Sequence, residues 1–241
     1  MTSNDKPSPI DELRAQYEEL AELSGSLAHE IKNPLSVIHM NIDLLSEDLA
    51  DWNSPEARRP LERAKIIREQ CVRMQGLLRD FLRYARLRDI DLVSGSLNDQ
   101  LETVLNAYSA EASQRGVEIV RFLDNDLPSI ALHSDSLQAA LMNLVKNALE
   151  ATDRGGKIWV RTYTTKSGVA MDLIDNGRGI DGNTIMHMFE PFYTTKEGGS
   201  GLGLPTARKI IEAHSGRMSL ESDVGRGTKF TLEFPALRRI I

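Results

Sequence analysis

Apolar or small residues recur along the first part of the chain at Leu13, Tyr17, Leu20, Ser24, Leu27, Ile31, Leu35, Ile38, Ile42, Leu45 and Leu49, in steps that alternate four and three. That rhythm marks a helix packed along one stripe. A second stripe runs through Ile67, Cys71, Met74, Leu78, Phe81 and Ala85. Between them, Trp52, Asn53, Ser54, Pro55 and Pro60 interrupt the pattern as a helix–helix connection does. Two long amphipathic helices with a short connection predict an antiparallel hairpin over residues 11–93, after a polar lead-in at residues 1–10. One hairpin leaves much of both stripes in water. Pairing two hairpins as a four-helix bundle covers them, so the pattern predicts a homodimer.

Near Val93-Ser94-Gly95-Ser96 the heptad stops, which reads as a domain boundary. The chain beyond alternates helix and strand over residues 97–241. Leu97–Arg115 has a helical period and ends at Gly116, in the manner of a helix C-cap. Val117–Phe122 reads as a strand. A helix opens near His133–Gln138, with Asp135 and Gln138 spaced as a capping box and Leu137, Leu141, Leu144, Val145 and Ala148 as its buried face. Strands follow at Lys157–Thr164 and Val169–Ile174, then a glycine-rich stretch and a helix near Pro205–His214. Two more strands lie near Arg217–Glu221 and Thr228–Phe234. The order predicts an α+β chain whose second part is an α/β sandwich with helices on one face of the sheet.

Composition narrows the field. Of 241 residues, 41% are hydrophobic and 27% charged, enough apolar material for a packed core. The net charge of −6 argues against a general nucleic-acid binder. The single cysteine, Cys71, allows no internal disulfide and fits a reducing compartment. No apolar run reaches the length of a membrane span, and no signal-peptide order is seen at the start, so the expectation is a soluble cytoplasmic protein or the soluble core of a larger sensor. Acids dominate residues 11–51 and bases dominate residues 56–91. Complementary pairing within a bundle accounts for this more simply than a docking face for an acidic partner.

Four stretches carry candidate chemistry. In Ser26-Leu27-Ala28-His29-Glu30-Ile31-Lys32-Asn33-Pro34-Leu35, the heptad slips to two successive fours across Leu27, Ile31 and Leu35. His29 lies two residues from both Leu27 and Ile31, which turns it away from the stripe, with a carboxylate directly after it. Alone, a helix-surface histidine is more often structural than catalytic. In Asn143-Leu144-Val145-Lys146-Asn147-Ala148-Leu149-Glu150, helical spacing puts two amides and a carboxylate on one face, a donor set suited to Mg²⁺. Asp175-Asn176-Gly177-Arg178-Gly179-Ile180 follows a strand. Its carboxylate can accept from an exocyclic amine such as that of adenine, and its glycines admit a flat ligand closely. Gly199-Ser200-Gly201-Leu202-Gly203-Leu204-Pro205 runs into a helix whose first N–H groups can cradle phosphate. It matches neither the Walker pattern nor the dinucleotide fingerprint. Between the last two, Met188–Gly198 fits a loop closing over a ligand.

In this order the stretches resemble the catalytic core of bacterial two-component sensor histidine kinases. His29 to Leu35 is similar to the family's H box, Asn143 to Ala151 to its N box, Asp175 to Ile180 to its G1 box, Phe189 to Lys196 to its F box and Gly199 to Leu204 to its G2 box. Gly225-Arg226-Gly227-Thr228-Lys229-Phe230 is similar to the strand-turn that closes the family's catalytic domain. The resemblance spans residues 20–234.

It implies a dimerising histidine-phosphotransfer hairpin followed by an ATP-binding domain of the Bergerat type. It implies autophosphorylation of His29, with Glu30 as general base, and transfer to an aspartate on the receiver domain of a response regulator. Asn33 would orient water for dephosphorylation of that regulator. Asn147 would hold Mg²⁺ and Asn143 would lie beside the phosphates of ATP. Asp175 would recognise adenine with Gly177, Gly179 and Thr228. Lys196 and the stretch Gly199, Ser200, Gly201, Leu202 and Gly203 would contact phosphate. Nucleic acid and direct membrane insertion are not expected. An ATP-binding scaffold without transfer, and an ATPase without a phosphohistidine, stand as the other classes. Whether transfer runs within a chain or across the dimer depends on the hairpin's handedness, which the sequence does not give.

Overall fold

The computed structural model describes residues 31–49, 58–86, 90–196 and 199–237. The chain divides into two compact units, one up to Arg86 and one from Leu87. His29 and Glu30 lie outside the described residues.

The first unit comprises helix α1, described over residues 31–49, and helix α2, Arg58–Arg86. Both follow the predicted stripes, yet little of either is covered. Leu35, Ala64 and Cys71 are buried, whereas Ile31, Ile38, Leu45, Ile67 and Met74 remain exposed on the stripes themselves. An exposed ion pair joins the two helices, Arg68 to Asp43 at 4.0 Å, and such a pair contributes little in water.

The second unit is a mixed five-stranded sheet with three long helices on one face. Its strands are β2 (Glu118–Phe122), β4 (Lys157–Thr164), β5 (Gly168–Asp175), β6 (Arg217–Asp223) and β7 (Gly227–Pro235), in the order β2-β4-β5-β7-β6. β2 and β4 are parallel and the other pairs antiparallel. β1 (Val93–Gly95) and β3 (Ile130–Leu132) form a separate antiparallel pair. Helices α3 (Leu97–Arg115), α4 (Ser134–Ala151) and α6 (Gly203–Ala213) cover the sheet, and α5 (Gly182–His187) is a short turn of helix after β5.

β5 is central and buried along almost its whole length. Its Val169, Met171 and Leu173 join Leu137, Leu141, Leu144 and Val145 of α4 in one core. On the opposite face of the same strand, Asp172 is fully buried between Arg161 at 2.6 Å and the Thr231 hydroxyl at 2.7 Å. A buried charge is tolerable only when paired and hydrogen-bonded, and both conditions hold here.

Local rules account for most boundaries. Ser96 caps α3 by accepting from the Asp99 N–H, and Gly116 ends it at φ +70° with its own N–H on Ala112 and Ser113 carbonyls. The start of α4 differs from expectation. His133 caps it, its ring Nδ1 accepting from Ser136 N–H at 3.3 Å. Gln138 does not reach back as a capping box requires; its amide donates to Gln100 Oε1 on α3 at 2.8 Å. Tertiary packing of α3 on α4 therefore overrides the local capping signal. The stretch at Val93, read as a break in the helical pattern, is strand β1.

Candidate functional site

Helix α4 is the spine of the site. Asn143, Asn147 and Glu150 lie on one of its faces, at steps of four and three residues. From Asn143 to Ala151 the helix rises about 12 Å, comparable to the span of an extended nucleoside triphosphate. Three other segments meet this face at successive heights.

At its C-terminal end sits the turn after β5. The Ala151 carbonyl accepts from Arg178 N–H at 3.0 Å, and Gly177 packs so closely that a Cβ there would meet that carbonyl at 2.3 Å. Glycine is thus required by contact. Gly179 is required twice over, by φ +69° and by Asp223 O at 2.0 Å from its would-be Cβ. The turn presents Asp175, whose side chain is 5% exposed. Its Oδ1 accepts from Gly177 N–H at 2.9 Å, and the Thr228 backbone N–H also donates to it. Burial nevertheless raises its pKa above the usual carboxylate range, the two backbone bonds offsetting only part of that cost. Asn176 plays a different part: its Oδ1 accepts from Lys157 N–H at 2.8 Å and pins the ends of β4 and β5 together.

Thr228 lies opposite Asp175 in the β5–β7 register and is equally buried. Its hydroxyl is 3.0 Å from the Ser222 hydroxyl, which donates to Gly227 O at 2.9 Å and accepts from Ile180 N–H at 2.9 Å. Ser222 therefore fixes the Thr228 hydroxyl and ties the Asp175 turn to β6. Sequence reasoning missed it, because a serine in an alternating strand carries no signal of its own.

In the last turns of α4, the Lys196 ammonium donates to Asn147 Oδ1 at 2.7 Å and to the Glu150 carboxylate. These two oxygens already hold a cation, so the donor set suits Mg²⁺ in charge and in oxygen chemistry. Among the described residues there is no group of three or more His, Cys, Asp or Glu able to hold a metal by itself. Lys196 is held from behind by Thr194, whose hydroxyl accepts its backbone N–H at 3.1 Å.

Nearest the start of α4, Asn143 Oδ1 lies 3.4 Å from the place a Gly203 Cβ would take, so the N-terminus of α6 is laid against it. Among the described residues no side chain caps that terminus, which leaves the Gly203 and Leu204 N–H groups of its first turn without an intrahelical partner. Gly201, at φ +66°, packs on the backbone of Phe192, whose N–H donates to Gly201 O at 3.1 Å. Ser200 accepts from Leu202 N–H at 3.3 Å, and Gly199 N–H donates to Lys196 O at 3.1 Å. The stretch Gly199–Gly203 is thereby joined to the segment that carries Lys196.

The turn after β5, the Lys196 side chain and the start of α6 thus meet α4 at Ala151, at Asn147 and Glu150, and at Asn143. A buried acceptor at one end, a cation position in the middle and bare helix N–H groups at the other suit adenine, metal and phosphate in that order. The remaining candidate residue that is described, Asn33, belongs to α1 in the first unit.

Comparison with known proteins adds two family matches. A model described as "His Kinase A (phospho-acceptor) domain" matches residues 19–90, and one described as "Histidine kinase-, DNA gyrase B-, and HSP90-like ATPase" matches residues 133–238. The chain is 33% identical over 227 residues to the signal transduction histidine-protein kinase AtoS of Escherichia coli, covering 92% of this chain and 36% of that protein. Among solved structures, full-length ShkA in complex with AMPPNP aligns with TM-score 0.74 and 25% identity, covering 91% of this chain and 47% of that one. Histidine kinase ThkA in complex with response regulator protein TrrA aligns with TM-score 0.64 and 26% identity, over 93% of this chain and 64% of that one. The chain spans about half or less of the length of the first curated relatives it matches.

Proposed function

The chain belongs to the sensor histidine kinases, with that family's phospho-acceptor and ATPase modules in succession, and from this premise we propose that it transfers the γ-phosphoryl group of ATP to His29. The observation that supports the reading is that the turn after Asp175, the Lys196 ammonium and the α6 N-terminus meet α4 at Ala151, at Asn147 with Glu150, and at Asn143. His29 lies within the span matched by the phospho-acceptor model. The hairpin is taken as residues 11–93 and the catalytic domain as residues 97–241.

Adenine enters against Asp175, whose buried carboxylate accepts the exocyclic amine, and Gly177, Gly179 and Thr228 shape the pocket around it. The phosphates run along α4 toward Asn143 and the N–H groups at Gly199–Gly203. Mg²⁺ held at Asn147 would neutralise phosphate charge, which phosphoryl transfer needs more than covalent assistance. A ring nitrogen of His29 attacks the γ-phosphorus, ADP leaves, and Glu30 takes the proton from the other ring nitrogen. Relay to an aspartate of a response-regulator receiver domain follows; the ThkA–TrrA complex supports a partner of that class. Asn33, four residues after His29 in the sequence, is proposed to orient water for the reverse task, regulator dephosphorylation. The bare apolar stripes of α1 and α2 support a homodimer through the hairpin. Cys71, the only cysteine, fits a cytoplasmic setting.

The test is incorporation of label from [γ-³²P]ATP into wild type, His29→Gln and Asn147→Ala. Acid-labile, base-stable label is expected in wild type and absent in both variants. Label that persists in His29→Gln refutes the assignment of the acceptor.

A further inference from the structure

The Lys196 ammonium occupies the oxygen that the proposed function assigns to the divalent cation. Lys196 Nζ sits 2.7 Å from Asn147 Oδ1, and its second partner is the Glu150 carboxylate, one helical turn further along α4. Asn147 alone is a neutral amide and holds an ammonium weakly. Glu150 supplies the charge that fixes it there, and a charge-assisted bond is about twice as strong as a neutral one. The other cation near Glu150, Lys146, stands 3.9 Å from its second oxygen and is itself 59% exposed, so it contributes little. Glu150 is about a quarter exposed and Lys196 about a third, so the pair is partly shielded from water.

From this geometry we infer that Glu150 is a positioning and specificity residue of the nucleotide site: it makes Lys196 the resident cation of the Asn147–Glu150 oxygen pair until a divalent cation displaces it. This rests on the nucleotide-site reading above. Without metal, Glu150 holds Lys196 away from any phosphate, and the site receives ATP poorly. With metal on Asn147, the two cations cannot share the oxygen. The ammonium is released toward the phosphates and Glu150 remains as counter-charge to the metal. Glu150 thus sets how strongly nucleotide binding depends on Mg²⁺, and it does so through Lys196. No bond to phosphorus is made or broken in this exchange.

The inference is tested on the full chain in two arms. In the first, Mn²⁺ binding without nucleotide is followed by the electron paramagnetic resonance of free Mn²⁺. Lys196→Met should bind Mn²⁺ about fivefold or more tightly than wild type, because the competing ammonium is gone, and the gain should vanish in Lys196→Met/Glu150→Gln. Equal Mn²⁺ binding by wild type and Lys196→Met overturns the inference, whatever the protein does with nucleotide. In the second arm, calorimetry gives ATP affinity in EDTA and in Mg²⁺ for wild type, Glu150→Gln, Lys196→Met and the double variant. Glu150→Gln should bind metal-free ATP about fivefold more tightly than wild type, narrowing the ratio between the two conditions. That effect should disappear in the Lys196→Met background. An equal effect of Glu150→Gln with and without Lys196 refutes the coupling. The nucleotide-site reading fails separately, if ATP binds with the same affinity to wild type and Asp175→Asn.

Discussion

The two units of this chain solve the same problem in opposite ways. The α/β unit closes its own core: Leu97, Leu101, Leu105, Leu137, Leu141, Leu144 and Leu149 are all fully or almost fully buried within one chain. The helical unit buries Leu35, Ala64 and Cys71 and leaves Ile31, Val37, Ile38, Met40, Leu44, Leu45, Ile66, Ile67, Val72 and Met74 more than two-fifths exposed. Buried apolar area is the main favourable term in folding, so the first kind of unit is stable by itself and the second draws its stability from whatever covers it. The division also fits the proposed chemistry. A nucleotide site needs fixed walls, whereas a phosphate acceptor has to be reached by another domain and then by another protein.

The largest effect is expected in the core of the α/β unit. Leu141 is 1% exposed and packs between α4 and the sheet. Leu141→Ala should cost about 3 kcal/mol through lost transfer energy and an unfilled cavity. The thermal transition of that unit should fall by about 10 °C, while dimerisation measured by chemical cross-linking below that temperature stays as in wild type. A parallel loss of cross-linking would mean that the two units fold as one.

The next test separates stability from function inside the α/β unit. Asparagine at Asp175 keeps an acceptor for the Gly177 and Thr228 N–H groups but places a donor where adenine also donates. ATP affinity should fall about a hundredfold in Asp175→Asn by calorimetry. The melting temperature of the ligand-free protein should not fall, because a carboxylate that burial penalises has been replaced by a neutral group. A large loss of stability would reassign Asp175 to the framework of the fold.

These two residues also mark what could be read from the sequence. Leu141 was legible from the period of its helix, and so were the helical character of α2, the C-cap at Gly116 and all eight positions of β4. Asp175 was legible as an acceptor after a strand with glycines behind it. Elements too short to show a period were missed: the three-residue strands β1 and β3 and the six-residue α5. The cap of α4 was misread because Gln138 found a partner 38 positions away, on α3, and no local rule sees such a partner. Ser222 and the hold of Glu150 on Lys196 escaped for the same reason. The bond between Lys196 and Glu150 joins residues 46 positions apart, and only the fold brings them together.

A smaller effect is expected on the helical unit. Ile67 is 44% exposed in the single chain, so Ile67→Glu costs the isolated helix little. If the exposed stripe is the dimer interface, burying a charge there should raise the dimer dissociation constant about tenfold or more. Sedimentation equilibrium reads this directly. An unaltered monomer–dimer balance would place the interface elsewhere, and the contrast between the units would then need another explanation for so much bare apolar surface.

The smallest effect is a pH dependence confined to the α/β unit. His214, 1% exposed, donates from Nδ1 to Ile210 O at 2.7 Å and accepts at Nε2 from His133 N–H at 3.0 Å. Both ring nitrogens are used by the neutral form. Protonating Nε2 would break the His133 bond and bury a charge near the His133 ring, with Phe234 on another side. Burial accordingly lowers the His214 pKa below the ordinary 6.5. Below that value the unfolded chain binds the proton more readily than the native one, so stability declines as pH falls through the unfolded pKa toward the folded one. Above it the contribution is intact. Asp175 acts with the opposite sign and lower down: its raised pKa favours the native state below the ordinary 3.8, and that gain is lost as pH rises through the folded value. Glutamine at position 214 offers a donor and an acceptor and does not titrate. Between about pH 7.5 and pH 5.5, wild type should therefore lose more thermal stability than His214→Gln in the transition of the α/β unit. Identical slopes in the two proteins would show that His214 accommodates its charge, and that the joint between α4, α6 and β7 is less closed than the rest of this core.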